Sequence, residues 1–125
     1  MKTASRAGAA LGAAVLAALA APGPAQAQPG AASIGSGRGN SSAAVRCVQQ
    51  GINSIVSDRF ATQHDLIGVD GSFGPETDEA VRYVQYRLLG ASEADGVVGP
   101  RTGDLIMRYQ YGNYAACYPY VPTSN

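Results

Sequence analysis

The chain has few of the side chains on which most active sites depend. Its 125 residues include one histidine and two cysteines, whereas a hydrolytic zinc site needs several histidine or carboxylate ligands. No Gly-x-Ser-x-Gly segment frames a serine nucleophile. The nine acidic residues offer many carboxylate pairs for glycoside hydrolysis but single out none of them. We therefore predict that the protein is not an enzyme and binds no cofactor or metal.

Basic residues do not outnumber acidic ones. The chain has nine lysine and arginine residues against nine aspartate and glutamate residues. A nucleic-acid-binding protein neutralises phosphates with an excess of basic side chains. The absence of that excess predicts that nucleic acid is not a partner.

Long apolar runs are confined to the N-terminus. Lys2 and Arg6 precede an uncharged run over residues 7–21, and residues 25–27 read Ala-Gln-Ala. A basic start, an apolar centre and a small-x-small end are typical of a secretory signal peptide. A membrane anchor is the alternative, but the run is shorter than the roughly 20 residues that span a bilayer. We predict a signal peptide over residues 1–27 and a secreted protein without membrane insertion, either extracellular or associated with the cell wall.

Cleavage of the signal peptide would leave 98 residues with seven arginines, nine acidic residues and a formal net charge of −2. This mature chain has no lysine and is rich in Ala, Gly and Arg. That composition favours a bacterial source with a GC-rich genome. At this length we expect one small domain, for which an additional covalent link is valuable.

The two cysteines, Cys47 and Cys117, are predicted to form a disulfide, because an even pair in an exported protein is normally oxidised. The bridge would close a loop of about 70 residues and stabilise the fold by on the order of 4 kcal/mol in the chain-entropy model. A zinc-binding pair is the alternative. It requires two further ligands, and His64 is the one histidine available.

The chain contains a duplicated unit. Residues 70–77 (Asp-Gly-Ser-Phe-Gly-Pro-Glu-Thr) recur 25 positions later as residues 95–102 (Asp-Gly-Val-Val-Gly-Pro-Arg-Thr), and six of the eight positions match in type. Upstream, residues 45–49 (Val-Arg-Cys-Val-Gln) recur as residues 81–85 (Val-Arg-Tyr-Val-Gln). The Asp-Gly pairs predict turns, since Gly allows positive φ and the Asp side chain can bond to amides two residues further on.

Apolar spacing predicts three helices. Residues 28–41 are Gly-, Ala-, Ser- and Pro-rich, so we predict a flexible N-terminal leader. Ser41 or Ser42 can cap a first helix over residues 42–56, and Pro75 suits the start of a second. The predicted buried stripes recur at three- and four-residue spacing: Val45, Val48, Ile52 and Ile55; Ala80, Val81, Val84 and Leu88; and Thr102, Leu105, Ile106 and Tyr109.

This order of three helices and two Asp-Gly-x-[Phe/Val]-Gly-Pro-x-Thr turns resembles the small three-helix type of peptidoglycan-binding domain. That module is attached to many bacterial cell-wall amidases, carboxypeptidases and endolysins. The resemblance covers about residues 42–108, and the predicted domain extends over residues 42–110. It implies an all-α fold, a compact three-helix bundle with an internal helix–turn duplication, and non-catalytic binding to peptidoglycan. The module usually adjoins a catalytic domain, and the short mature chain leads us to expect a stand-alone, monomeric module.

The two turns allow a structural and a functional interpretation. In the first, the glycines provide the backbone geometry and the Phe or Val side chain packs inward. In the second, the turns line a groove in which an Asp binds the amine of a stem peptide and an Arg binds a carboxylate in bidentate fashion. The predicted ligand-binding residues are Asp70, Ser72, Phe73, Arg82, Asp95 and Arg101.

Two segments have no counterpart in the repeat. The first copy carries about 11 extra residues near residues 57–65, and a Tyr-rich irregular tail over residues 111–125 is tied by the predicted disulfide. The tyrosines can cover the bundle or form a binding surface, because Tyr is amphipathic and loses little entropy on ordering. These segments favour an alternative function, an extracellular protein-binding or hydrolase-inhibiting protein on the same scaffold, with a secreted protein as its partner.

Overall fold

The computed structural model describes residues 31–124, and the predicted signal peptide lies outside this range. Within that range four α-helices follow one another: α1 (Ser42–Arg59), α2 (Pro75–Leu89), α3 (Pro100–Arg108) and α4 (Tyr114–Cys117). A single 3-10 turn, Ala91–Glu93, precedes α3. No β-strand occurs within residues 31–124, so the predicted all-α fold is confirmed.

Helix α1 begins at the predicted cap and ends three residues later than predicted. The Ser41 hydroxyl accepts a hydrogen bond of 3.1 Å from the Ala44 amide. Beyond Val56, which is buried, the helix continues to Arg59, and the amide of the C-cap residue Phe60 donates to the Val56 carbonyl. Phe60 is 4% exposed, so its burial holds the additional turn. Part of the extra length of the first copy is therefore helix rather than loop.

Helices α2 and α3 begin in the same way. Gly74 and Gly99 are their N-caps, with φ of −95° at both positions and ψ of −169° and −168°. A proline follows each cap, where its missing N–H is not needed. Helix α2 ends at Gly90, which has a φ of 104°. The duplication in the sequence is therefore a duplication of backbone conformation.

The core lies where α1, α2 and α3 meet. Most residues of the apolar stripes predicted for these helices enter it, while Leu88, Tyr109 and Phe73 pack against it and are half-buried. Thr102 is buried outside the cluster. A second cluster joins the disulfide to the tail and consists of Cys47, Met107, Cys117 and Val121. The largest fully buried apolar side chains of the main cluster are Ile34, Val48, Ile52, Ile55, Val56, Val81, Val84, Val98 and Ile106.

Part of the predicted leader packs against the bundle. Residues 28–30 of the segment predicted to be flexible lie outside the described range, and within residues 31–41 Ile34 is fully buried and paired with Val98. The two residues exchange backbone hydrogen bonds of 3.1 and 2.8 Å. The Asn40 side chain then donates to the Ser33 carbonyl. One isoleucine is sufficient to attach this segment to the bundle, because burial of its side chain is worth about 2 kcal/mol and its backbone groups are paired.

The C-terminal tail packs against the bundle. The predicted disulfide is confirmed, and it links α1 to α4 with a Cα–Cα distance of 5.6 Å. Further along, the chain crosses α3 so closely that a Cβ on Gly103 would overlap the Pro122 carbonyl. The Ser124 amide then donates to Asp104 at 2.9 Å. No helix within the described range has the length and apolarity needed to cross a bilayer.

Candidate functional site

The first Asp-Gly turn is held by the side chain of Gln49, which is fully buried on α1. Its Nε2 donates to the Asp70 carboxylate (2.9 Å), to the Ser72 carbonyl (3.0 Å) and to the Thr77 hydroxyl (3.0 Å). Its Oε1 accepts from the amides of Asp70 and Gly71, both at 3.0 Å. One amide group therefore fixes the entire first turn to α1.

Gln85 on α2 holds the second turn in the same way. Its Nε2 donates to the Asp95 carboxylate (3.3 Å), to the Val97 carbonyl (2.9 Å) and to the Thr102 hydroxyl (3.0 Å). Its Oε1 accepts from the Gly96 amide at 2.9 Å. The Gln, Asp, Gly and Thr of the repeated sequences thus form one hydrogen-bonded unit in each copy.

The arginine of each Val-Arg-x-Val-Gln segment also has a corresponding contact. Arg46 Nη1 donates to the Val69 carbonyl at 3.0 Å, and Arg82 Nη1 donates to the Ala94 carbonyl at 3.4 Å. Both acceptors directly precede the Asp of a turn. Arg82 additionally forms an ion pair of 2.9 Å with Asp78. Arg82, predicted as a ligand-binding residue, therefore lies beside the second turn, and Arg46 is its equivalent at the first.

Gly71 and Gly96 cannot be replaced in these turns without strain. Their φ angles are 80° and 77°, a region that side chains with a Cβ rarely adopt. A Cβ would also overlap Ser42 at the first position and Asp78 at the second. Ser42 and Asp78 each lie seven residues before the glutamine of their copy, so the close approach is part of the repeated unit.

A third glutamine, Gln110, lies at the same distance from the proline that starts its helix, but no third Asp-Gly turn follows it. Gln110 follows Pro100 by ten residues, as Gln85 follows Pro75. It is 4% exposed, and its Nε2 donates to the Cys47 carbonyl of α1 at 2.5 Å. This glutamine fastens the end of α3 to α1, close to the disulfide.

The six predicted ligand-binding residues divide between two places. Asp70, Ser72 and Phe73 belong to the first turn, where Ser72 and Phe73 line a hollow of about 250 Å³ with the Gly-rich segment before α1. Asp95 and Arg101 line a second hollow, of about 340 Å³. Arg82 lies at the second turn, as described above.

The turn aspartates and Arg101 are already engaged within the chain. Asp70 Oδ1 accepts from the Ser72 amide and from Gln49, and these bonds lower the pKa of Asp70 below its ordinary value. Asp95 Oδ1 accepts from the Val97 amide in the same manner. Arg101 lies 3.5 Å from the Glu93 carboxylate, but its side chain is 65% exposed. These contacts give both aspartates a role in turn structure.

A groove of about 590 Å³ lies on the outer face of α2; we call it the α2 groove. Gln63 and His64 from the extra loop of the first copy line it, as does Ala94 after the 3-10 turn. Its helical residues recur at three- and four-residue spacing, which places them on one face. These are Glu79, Arg82, Tyr83, Tyr86 and Arg87.

His64 joins the extra loop to α2. Its Nε2 lies 2.8 Å from the Glu79 carboxylate and its Nδ1 lies 2.6 Å from the Asp65 carbonyl oxygen. Its ring centroid is 4.6 Å from that of Tyr83. Burial lowers the pKa of His64, but the bonds to Asp65 and Glu79 together outweigh burial and raise the pKa above 6.5. Both ring nitrogens face acceptors, as the doubly protonated imidazolium requires.

Aromatic and guanidinium groups form one side of the groove. Arg87 Cζ lies 4.7 Å from the centroid of the Phe60 ring, and Arg87 Nη1 donates to the Tyr83 hydroxyl at 2.7 Å. Tyr83 is thus fixed among Phe60, His64 and Arg87. Tyr86, one turn further along α2, is 60% exposed. The groove therefore presents one open aromatic ring on a rigid helix.

The two non-repeated segments meet at the end of α1. The Tyr111 hydroxyl donates to the Asp58 carboxylate, a bond that raises the pKa of Tyr111 to about 12. Arg59 Nη1 donates to the Tyr109 hydroxyl at 3.1 Å. The tail and the extra loop are therefore parts of one continuous surface.

Sequence reasoning missed the role of Gln49 and Gln85 and missed the α2 groove. The signal for the glutamines was present, because both end a repeated Val-Arg-x-Val-Gln segment. The helical spacing of Glu79, Tyr83 and Tyr86 could have indicated that they share one face of α2. The contact between Glu79 and His64, however, depends on the conformation of a loop. Residues 31–124 contain no group of three or more His, Cys, Asp or Glu side chains arranged to hold a metal ion.

Comparisons of this chain with protein-family models, with curated proteins and with solved structures found no match.

Proposed function

We propose that this protein binds bacterial cell-wall peptidoglycan non-covalently and without catalysis, as a secreted, monomeric module. The observation that carries the proposal is the equivalence of the two Asp-Gly turns, each held by a buried glutamine of the preceding helix. The sequence unit that resembles the peptidoglycan-binding family is thus a repeated unit of side-chain contacts. That agreement between sequence and contacts supports the family resemblance and the binding function it implies.

The disulfide supports the proposed location. Cys47 and Cys117 form a bridge, and such bridges persist in oxidising compartments outside the cytoplasm. A secreted protein meets the cell wall directly. The proposed signal peptide and the proposed ligand are therefore consistent with one another.

Co-sedimentation with purified sacculi tests this function. The mature protein should pellet with sacculi, and the supernatant should contain no released muropeptides. A protein that remains in the supernatant would contradict the binding proposal. Released fragments would contradict the absence of catalysis. An unrelated secreted protein of similar size and charge serves as the control for trapping in the pellet.

Exposed tyrosines of the tail favour the alternative, a protein-binding or hydrolase-inhibiting function on the same scaffold. Tyr111, Tyr114 and Tyr120 are 66%, 53% and 43% exposed, and aromatic residues are enriched in protein interfaces. This function would leave the protein in the supernatant in the sacculus assay while it inhibits a cell-wall hydrolase added to the same mixture. The two proposals therefore predict opposite results in one experiment.

A further inference from the structure

We propose that the α2 groove binds the glycan strand of peptidoglycan, with the ring of Tyr86 stacked on the apolar face of an N-acetylhexosamine. This inference rests on the proposed function and deepens it, because it assigns the sugar rather than the stem peptide as the group that is recognised. The groove adjoins the second turn through Arg82 and Ala94, but no residue of either Asp-Gly pair lines it.

Tyr86 has the properties of a stacking platform. It is 60% exposed, and it lies on α2, a helix whose opposite face is in the core. Its ring is therefore held by a rigid element yet open to a ligand, and tyrosine combines an apolar face with a polar tip. A pyranose ring has the complementary pattern, with C–H groups on one face and hydroxyls at its rim.

The charges around Tyr86 favour a neutral ligand. The Glu79 carboxylate pairs with His64 at 2.8 Å, and Arg82 pairs with Asp78 at 2.9 Å. A stem peptide, with its carboxylates and amine, would have to compete with these pairs. A sugar would not, because Glu79 and Arg82, with side chains 66% and 51% exposed, can offer additional hydrogen bonds to its hydroxyl and acetamide groups.

The internal repeat indicates that the bundle itself does not need an aromatic ring at the position of Tyr86. In the equivalent positions of α1, 36 residues earlier, Cys47 and Gln50 replace Tyr83 and Tyr86. That copy nevertheless holds its turn by the same glutamine contacts. Tyr83 packs against the core and against Phe60. Tyr86, which is exposed, is therefore the addition to the scaffold, and the loop that carries His64 is a second addition at the same place.

Substitution of Tyr86 tests the inference. In the purified mature protein, Tyr86→Ala should weaken the binding of soluble β-1,4-linked N-acetylglucosamine oligomers, measured by calorimetric titration, by about tenfold. Tyr86→Phe keeps the ring and should remain within about twofold of the wild type. Tyr114→Ala removes a similarly exposed tyrosine outside the groove and should change nothing. Alanine is a better helix former than tyrosine, so α2 should be retained, and circular dichroism checks this.

Two readouts separate this inference from the proposed function. If the wild type pellets with sacculi but Tyr86→Ala pellets equally well, or if a synthetic stem pentapeptide binds and the oligomers do not, the glycan inference is overturned and cell-wall binding stands. If the wild type fails to pellet with sacculi, the proposed function is overturned. The oligomer titration then decides separately whether the groove recognises sugar.

Discussion

Replacement of Gln49 by leucine should destabilise the fold more than any ordinary surface substitution. Gln49 forms five hydrogen bonds to the first turn. Leucine has a similar volume but neither donates nor accepts. The variant therefore removes the polar contacts while it largely preserves the packing of α1.

The expected loss of unfolding free energy depends on how exposed the hydrogen-bond partners of Gln49 are. The three acceptors of Nε2 share its two N–H groups, and the oxygen accepts two bonds, so at about 1 kcal/mol net for each full bond the upper limit is about 4 kcal/mol. Asp70 and Ser72 are exposed, so water can replace part of what they lose. The Thr77 side chain is 3% exposed and has no such access. We expect a loss of about 2–3 kcal/mol, a substantial share of the roughly 5–15 kcal/mol typical of a domain.

Urea unfolding measures this loss. The midpoint should fall by roughly 1–2 M with an unchanged m-value. Gln85→Leu should cost a similar amount, because Gln85 forms four equivalent bonds. The matched control is Gln50→Leu, the same substitution at the next, half-buried position, which should stay within about 0.5 kcal/mol of the wild type. A Gln49→Leu variant within about 1 kcal/mol of the wild type would refute the role assigned to the glutamines.

Two further predictions concern the tail and the extra loop. Gly103→Ala should destabilise the protein by about 2 kcal/mol and expose the tail to proteolysis, because a Cβ there would lie 2.8 Å from the Pro122 carbonyl carbon and neither backbone can yield easily. The ring of His64 should titrate by NMR with a midpoint above 6.5. Because this folded-state pKa is raised, His64 stabilises the fold fully below about pH 6.5, and the contribution is lost as the pH rises through the folded-state pKa.

Matched variants exist for both predictions. Gly112→Ala introduces a Cβ with no atom within 4 Å and should be nearly neutral, whereas equal stability of the two alanine variants would contradict the tail crossing. Glu79→Gln should lower the titration midpoint of His64 toward its ordinary value. His64 is the one histidine of the chain, so the curve has a single source. A wild-type midpoint at or below 6.5 would contradict the contact with Glu79.

Local sequence signals were sufficient to predict the helices and the disulfide. The spacing of Val45, Val48, Ile52 and Ile55 depends on residues that are neighbours along the chain, so periodicity reveals it. The cysteine pair required only composition and the expected compartment. The two proline starts were equally local, because each depends on one residue and its cap.

Long-range partners explain what the sequence did not reveal. The leader lacked apolar residues apart from Ile34, and nothing in its own composition indicated a bridge to Val98. The α2 groove depends on His64 reaching Glu79 across a loop, and loop conformation has no periodic signal. For the predicted site residues in the turns, the sequence hid an existing partner. Asp70 and Asp95 looked free because the glutamines that bind them lie 21 and 10 residues earlier.

The duplication distinguishes scaffold from specialisation within a single chain. A residue that recurs in both copies and makes the same contact twice, as Gln49 and Gln85 do, is required by the fold whatever the ligand is. A residue that departs from its counterpart without loss of the turn is free to serve binding, and Tyr86 against Gln50 is such a pair. By this criterion the Asp-Gly turns explain how the bundle is built. The outer face of α2, with the loop added beside it, is where recognition should be sought.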